Sequence, residues 1–286
     1  MDLTWPTRMP NERRQEEKKT ESDEQEIQER TSPGGHIVYE AVRQEGLDEL
    51  QRSNSALAWS GLAAGLSMGF SLVGEGILSS HLPDTPWRPL ISRFGYCLGF
   101  LFVVLGRQQL FTENTLTVIL PLLRKPSVQM LGNVGRLWAI VLVSNLVGAF
   151  AMGWVIGNTE VLSSAVRQAM EGLGRASLGH GFSALLLRGV FAGWLIALMV
   201  WLMPFAESAR VWVIIIVTYI VGVGDFAHIV AGSVDVFYLV GRGEKSLVDY
   251  LFYMFPVLLG NVIGGTSIVA AIAHAQYVGD AEGRPA

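Results

Sequence analysis

Charge is scarce in this sequence. Of its 286 residues only 16% are Asp, Glu, Lys or Arg, while half are hydrophobic and the mean hydropathy is +0.38. That balance excludes an ordinary soluble domain of this length and points to a polytopic membrane protein. Cysteine is nearly absent: Cys97 stands alone, so no intrachain disulfide can form and the redox compartment stays open. Metal-ligand clusters, nucleophile–base spacings and nucleic-acid patches are missing, and the glycine strings GEGILSS and GRGEKS lack the spacing of a phosphate loop. Neither an enzyme nor a cofactor-binding, metal-binding or nucleic-acid-binding protein is therefore expected. No apolar run precedes residue 55, and no cleavable signal peptide is expected.

What charge there is lies at the front. Residues 1–54 hold 13 of the 25 acidic and 8 of the 21 basic residues, so the remainder is close to neutral. Residues 1–35 read as a disordered charged tail, too poor in apolar side chains to fold alone. Residues 36–54 place Ile37, Ala41, Val42 and Leu50 roughly on one face, which predicts an amphipathic surface helix at the membrane or over a pore mouth. Apolar segments of spanning length follow at about 57–80, 89–123, 133–157, 180–204, 210–240 and 247–275, within a channel domain expected over 55–275. Residues 158–179 read as a polar connection and 276–286 as a short polar tail. Trp59, Trp87, Trp138, Trp154, Trp212 and Tyr250 read as interface anchors.

The second and fifth segments are too long for one simple span, and each has a polar interior. GRQQLFTEN (106–114) interrupts the second, and VGVGDFAHIVAGS (221–233) interrupts the fifth. Glycines and an ionisable histidine at that depth weaken a helix and cost energy unless they face a partner or a water-filled space. The halves match internally: Gly61/Gly65 with Gly189/Gly193 at an offset of 128, and Asn145 with Asn261 at an offset of 116. The offset of 116 also carries Thr112 onto His228. Six spans in a 3+3 inverted repeat, with helices 2 and 5 interrupted, are thus the predicted all-α architecture. Paired breaks of this kind mark a transport site, because free N–H groups and the positive helix end attract anions.

LFTENT (110–115), NLVGA (145–149), GDFAHIVAGS (224–233) and FPVLLGNVIGG (255–265) resemble the formate/nitrite transporter family over residues 36–275. The resemblance implies an aquaporin-like homopentamer with one pore per protomer, passing small monovalent anions such as formate, nitrite or hydrosulfide, with a proton in some members. It places the family's pore histidine on His228 and its loop threonine on Thr112. Its two apolar constrictions fall on Tyr96, Phe100 and Val221, and on Leu110 and Phe111. Two positions depart from the formate carriers: Gly232 stands where they have asparagine, and Leu178 where they have a basic residue.

Thr112 also reads as a cap for its break, His228 as a buried histidine satisfied by a carbonyl, and Asn145 and Asn261 as ties on free carbonyls of the broken helices. Arg188 with a carboxylate such as Asp225 reads as a buried structural pair. The expectation is a passive or proton-coupled anion channel in the cell's inner (plasma) membrane, with both termini cytoplasmic. Its competitors are an aquaporin-like neutral-solute channel, for which paired Asn-Pro-Ala signals are missing, and a non-transporting scaffold acting through the acidic tail.

Overall fold

A computed structural model describes residues 34–282, and every regular element among them is helical. The expected tail, residues 1–35, lies outside the described residues except for its last two. Helix α1 (Gly35–Gln51) is followed by α2 (Asn54–His81), which is the first span. The second span is assembled from α3 (Arg88–Ser92), α4 (Cys97–Leu105), α5 (Phe111–Thr117) and α6 (Ile119–Arg124). The third is α7 (Val128–Asn158). Helix α8 (Ser164–Ser177) leads to the fourth span, α9 (Phe182–Leu202). The fifth is split into α10 (Arg210–Val223) and α11 (Ile229–Gly241). The sixth runs as α12 (Leu247–Val262), a π-helical stretch (Ile263–Ala270) and α13 (Ala271–Glu282).

Serines set several of the starts. Ser53, Ser127 and Ser163 each accept a hydrogen bond from the third residue on, and Ser246 forms a reciprocal capping box with Asp249. Among the described residues, five helical stretches are long and apolar enough to cross a membrane, and the fifth span misses that length because its break divides it.

The repeat is visible as packing. Alpha-helices α2 and α7 cross closely at Gly61 and Gly65, and α9 and α12 do so at Gly189 and Gly193. A Cβ on Gly65 would overlap the Asn145 carbonyl, and one on Gly193 the Asn261 carbonyl. Only glycine lets the backbones approach this far, the small-residue device of membrane helices. Both described ends lie on one face. The Tyr39 hydroxyl meets His274 Nδ1 at 2.8 Å, its ring stacks on Tyr277 at 4.3 Å, and the Arg124 guanidinium lies over the Tyr277 ring.

Two expectations need correction. The polar connection 158–179 contains α8, whose Val166, Met170 and Gly174 pack against α2 and α11. In the stretch expected as a short polar tail, α13 continues to Glu282. Trp138 and Tyr250 are not simple anchors. The Trp138 indole donates to the Asn114 carbonyl at 3.2 Å, and Tyr250 is buried against Phe237 and the Ser233 hydroxyl.

Helix α1 docks across the first break. Gly46 lies so close to the Thr117 carbonyl that a Cβ there would overlap it. Glu49 accepts from Gln109 Nε2 at 2.9 Å and from the Thr117 hydroxyl, and Glu45 pairs with Arg107 at 3.3 Å. Burial pushes the Glu49 carboxyl up to about 6 from its ordinary 4.5, against those two donors. A raised acid pKa means that docking favours the protonated form. Docking is therefore strongest below about pH 4.5 and weakens as pH rises through about 6. Hydrogen exchange of the α1 amides, corrected for intrinsic rates, is expected to speed up across that window in the wild type. In Glu49→Gln it stays flat; a wild-type profile that is also flat rules the coupling out.

Candidate transport site

At mid-depth the starts of α5 and α11 face each other, each reached through an irregular loop. The loops turn at residues with positive φ, Arg107 at 50° and Asp225 at 53°. They end on residues of nearly identical backbone geometry, Leu110 (φ −107°, ψ 126°) and His228 (φ −102°, ψ 128°). Each break is held by one fully buried asparagine. Asn145 Oδ1 accepts from the Phe111 N–H at 2.9 Å, and its amide donates to the carbonyls of Gly61 (2.8 Å) and Gln109 (2.9 Å). Asn261 Oδ1 accepts from the Ile229 N–H at 2.8 Å, and its amide donates to the carbonyls of Gly189 and Ala227, both at 2.9 Å. Irregular backbone survives at this depth because these bonds satisfy it from within the protein.

These contacts correct the register of the repeat. Gln109, Leu110 and Phe111 correspond to Ala227, His228 and Ile229, an offset of 118 rather than 116. The counterpart of His228 is Leu110, and that of Thr112 is Val230. Thr112 is also not the cap of its break, since Leu110 precedes the helix without a side-chain cap and Asn145 takes the Phe111 N–H. Only the second break has an ionisable N-cap, His228 against Leu110, while the first has Glu113 in its opening turn, so the site is asymmetric within a symmetric frame.

Thr112 and His228 nevertheless meet. Thr112 Oγ1 lies 2.7 Å from His228 Nε2, and both residues are buried. His228 Nδ1 accepts from the Ala231 N–H at 3.2 Å, capping α11. A nitrogen that accepts carries no proton, so the neutral ring presents Nε2–H toward Thr112. Phe100 packs edge-on against the imidazole, with ring centroids 5.0 Å apart, and Tyr96 follows at 5.4 Å from Phe100. Val221 is buried beside the small cavity described next, while Leu110 and Phe111 are buried at the α5 start, with Phe111 edge-on to Trp138.

Two cavities approach this pair from opposite faces. On the α1 face a cavity of about 720 Å³ is lined by Glu45, Glu49, Arg107, Gln109, Glu113 and Thr117. On the other face a cavity of about 40 Å³ reaches His228 itself, beside Tyr96, Val221, Gly232 and Tyr253. Thr112, Phe100, Leu110 and Phe111 line neither cavity and lie fully buried between them, so the path is closed in this structure.

The small cavity opens on a charged network that the sequence signalled only in part. Arg188 Nη1 donates to the Asp225 carbonyl at 2.6 Å and to its carboxylate at 2.5 Å. Arg93 bridges Glu75 (2.7 Å) and Asp225 (3.4 Å), and His180 Nε2 lies 3.3 Å from Asp225. Asp235 accepts from the Ser177 hydroxyl at 3.1 Å. Leu178 brings no cation to this side; Arg93 and Arg188 do. Their signal was the charges themselves, each isolated in an apolar run.

Paired broken helices held by asparagines, meeting at a closed constriction between two cavities, define a membrane-embedded helical protein of the channel and transporter class. The formate/nitrite transporter family model matches residues 36–275, and the chain belongs to that family. It is 39% identical over 271 residues to the inner membrane protein YfdC of Escherichia coli strain K12, covering 94% of this chain and 86% of that one. It is 24% identical over 253 residues to the formate channel BtFdhC of Bacillus thuringiensis, covering 84% of this chain and 94% of that one. Among solved structures, an FNT family ion channel superposes with a TM-score of 0.71 at 17% identity, over 87% of this chain and 99% of that one. A pentameric formate channel with formate bound superposes with a TM-score of 0.65 at 19% identity, over 82% and 99% respectively. These likenesses establish the fold.

Proposed function

We propose that the protein conducts a small monovalent anion of a weak acid, such as formate, nitrite or hydrosulfide, through a pore that passes between Thr112 and His228. The observation that carries this reading is the Thr112–His228 hydrogen bond, which joins two helix starts between the two cavities. Family membership and the formate channels among its relatives support the same anion class. The first-turn N–H groups of Thr112 and Val230 have no intrahelical acceptor, and two positive helix ends converge there. An anion leaving water would find those N–H groups and the Nε2–H donor of His228 in place of its hydration shell.

His228 acts in this reading as a hydrogen-bond donor. A proton placed on Nδ1 would turn a donor toward the Ala231 N–H, so passage of a proton through the ring requires that cap to open. Exposed apolar side chains such as Trp59, Trp212 and Phe252 (65–75% exposed) suit lipid or neighbouring protomers in a homopentamer of the inner membrane, with both chain ends cytoplasmic.

Proteoliposome flux tests the reading. Formate or nitrite is expected to cross at a rate well above empty liposomes, while glycerol fails to drive osmotic swelling. Swelling without anion flux would favour a neutral-solute channel, and neither signal would leave a non-transporting membrane protein.

A further inference from the structure

Tyr253 is a polar side chain at the pore that the site described so far does not use. It lies on α12, is 2% exposed, and lines the 40 Å³ cavity beside His228. Its hydroxyl rests on the backbone of α11 at Gly232, so closely that any Cβ at 232 would overlap it. The absence of a side chain at 232 is therefore what lets the tyrosine tip reach the His228 turn.

The hydroxyl is poorly satisfied there. Its one hydrogen-bond acceptor among the described residues is the His228 carbonyl, at 3.5 Å, the far limit for such a bond. That carbonyl already takes the Gly232 N–H at 2.9 Å. A buried hydroxyl with a stretched partner, facing a cavity, is a donor with capacity to spare.

We infer that Tyr253 is a specificity-determining residue of the pore: its hydroxyl donates to the anion on the His228 side, and its ring sets the size limit there. This rests on the anion-channel reading and adds a substrate class to it. The cavity that the Tyr253 ring bounds is small, about 40 Å³, so a bulkier anion meets the ring first. Formate and nitrite have three non-hydrogen atoms, whereas acetate has a fourth. Anions the size of formate and nitrite are therefore the class favoured over acetate.

Two variants in proteoliposomes test the two parts. Tyr253→Phe keeps the ring and removes the donor; formate flux is expected to fall about tenfold or more, the loss of one hydrogen bond to a charged group. Tyr253→Leu removes the ring, and the acetate-to-formate flux ratio is expected to rise. The ratio does not depend on how much protein is folded, so a poorly expressed variant still gives an answer. Wild-type formate flux in Tyr253→Phe overturns the assignment, as does an unchanged ratio in Tyr253→Leu. If formate flux still depends on His228 in either case, only the role of Tyr253 falls. If the wild-type protein carries neither formate nor nitrite, the anion-channel reading falls and takes this one with it.

Discussion

His228→Asn is expected to cut anion flux roughly tenfold to a hundredfold while leaving the folded protein nearly as stable as wild type. The side chain makes two bonds of different kinds. Nδ1 caps α11 through the Ala231 N–H, and Nε2–H points at Thr112 Oγ1, 2.7 Å away. Asparagine is among the best N-capping residues and can keep the first bond. It is too short to reach Thr112, so the second is lost. His228→Ala loses both, and should add about 1 kcal/mol of cap loss to the same transport defect. Losing a donor to a charged group costs about 1.5–3 kcal/mol, so flux should fall roughly tenfold to a hundredfold in both variants. Thermal unfolding in detergent, read beside the flux, separates the two. Full flux in His228→Asn would remove the imidazole from the conduction path. Equal stability of the Ala and Asn variants would remove the cap.

The membrane architecture was legible in the sequence because its signals are physical necessities. Spanning helices must be apolar for about 20 residues, and glycine at 61, 65, 189 and 193 announces close crossings. The two breaks announced themselves by polar residues that hydrocarbon does not tolerate without partners. The finer register did not follow. The asparagines on α7 and α12 repeat at 116, while the loops they hold repeat at 118, and no residue in either loop marks that difference. Thr112 and His228 therefore approach as neighbours across the axis rather than as equivalents, which a matched offset had concealed.

Helix α8 was missed for a related reason. Its apolar stripe is narrow, with Val166, Met170 and Leu173 among charged neighbours, so its hydropathy is that of a loop. Tyr253 was invisible as a pore residue, since nothing local links it to Gly232, 21 positions earlier. The departure at Gly232 was legible, but its meaning depends on what fills the space. The Glu49 contacts with Gln109 and Thr117 were equally silent, because they join residues 60 and 68 positions apart.

The largest loss of stability is expected from the asparagines. Asn261→Ala removes an acceptor and two donors at once, from a residue with no solvent exposure. The Ile229 N–H, the Gly189 carbonyl and the Ala227 carbonyl lose those partners together. At about 1–3 kcal/mol for each of the three groups left unpaired, the cost is roughly 3–9 kcal/mol unless water enters the space. Asn261→Asp is no rescue: the carboxylate can still accept from Ile229, but it turns oxygen lone pairs toward two carbonyls. Asn145→Ala strips Phe111, Gly61 and Gln109 in the same way and should be comparably damaging. The two breaks are joined by the Thr112–His228 bond, so freeing either helix start also loosens the other. The double variant should therefore cost less than the sum of the singles. Thermal unfolding of the purified protein in detergent measures all three. Wild-type stability in Asn261→Ala would mean that the break is held by something else, and strict additivity would mean that the Thr112–His228 bond does not couple the two halves.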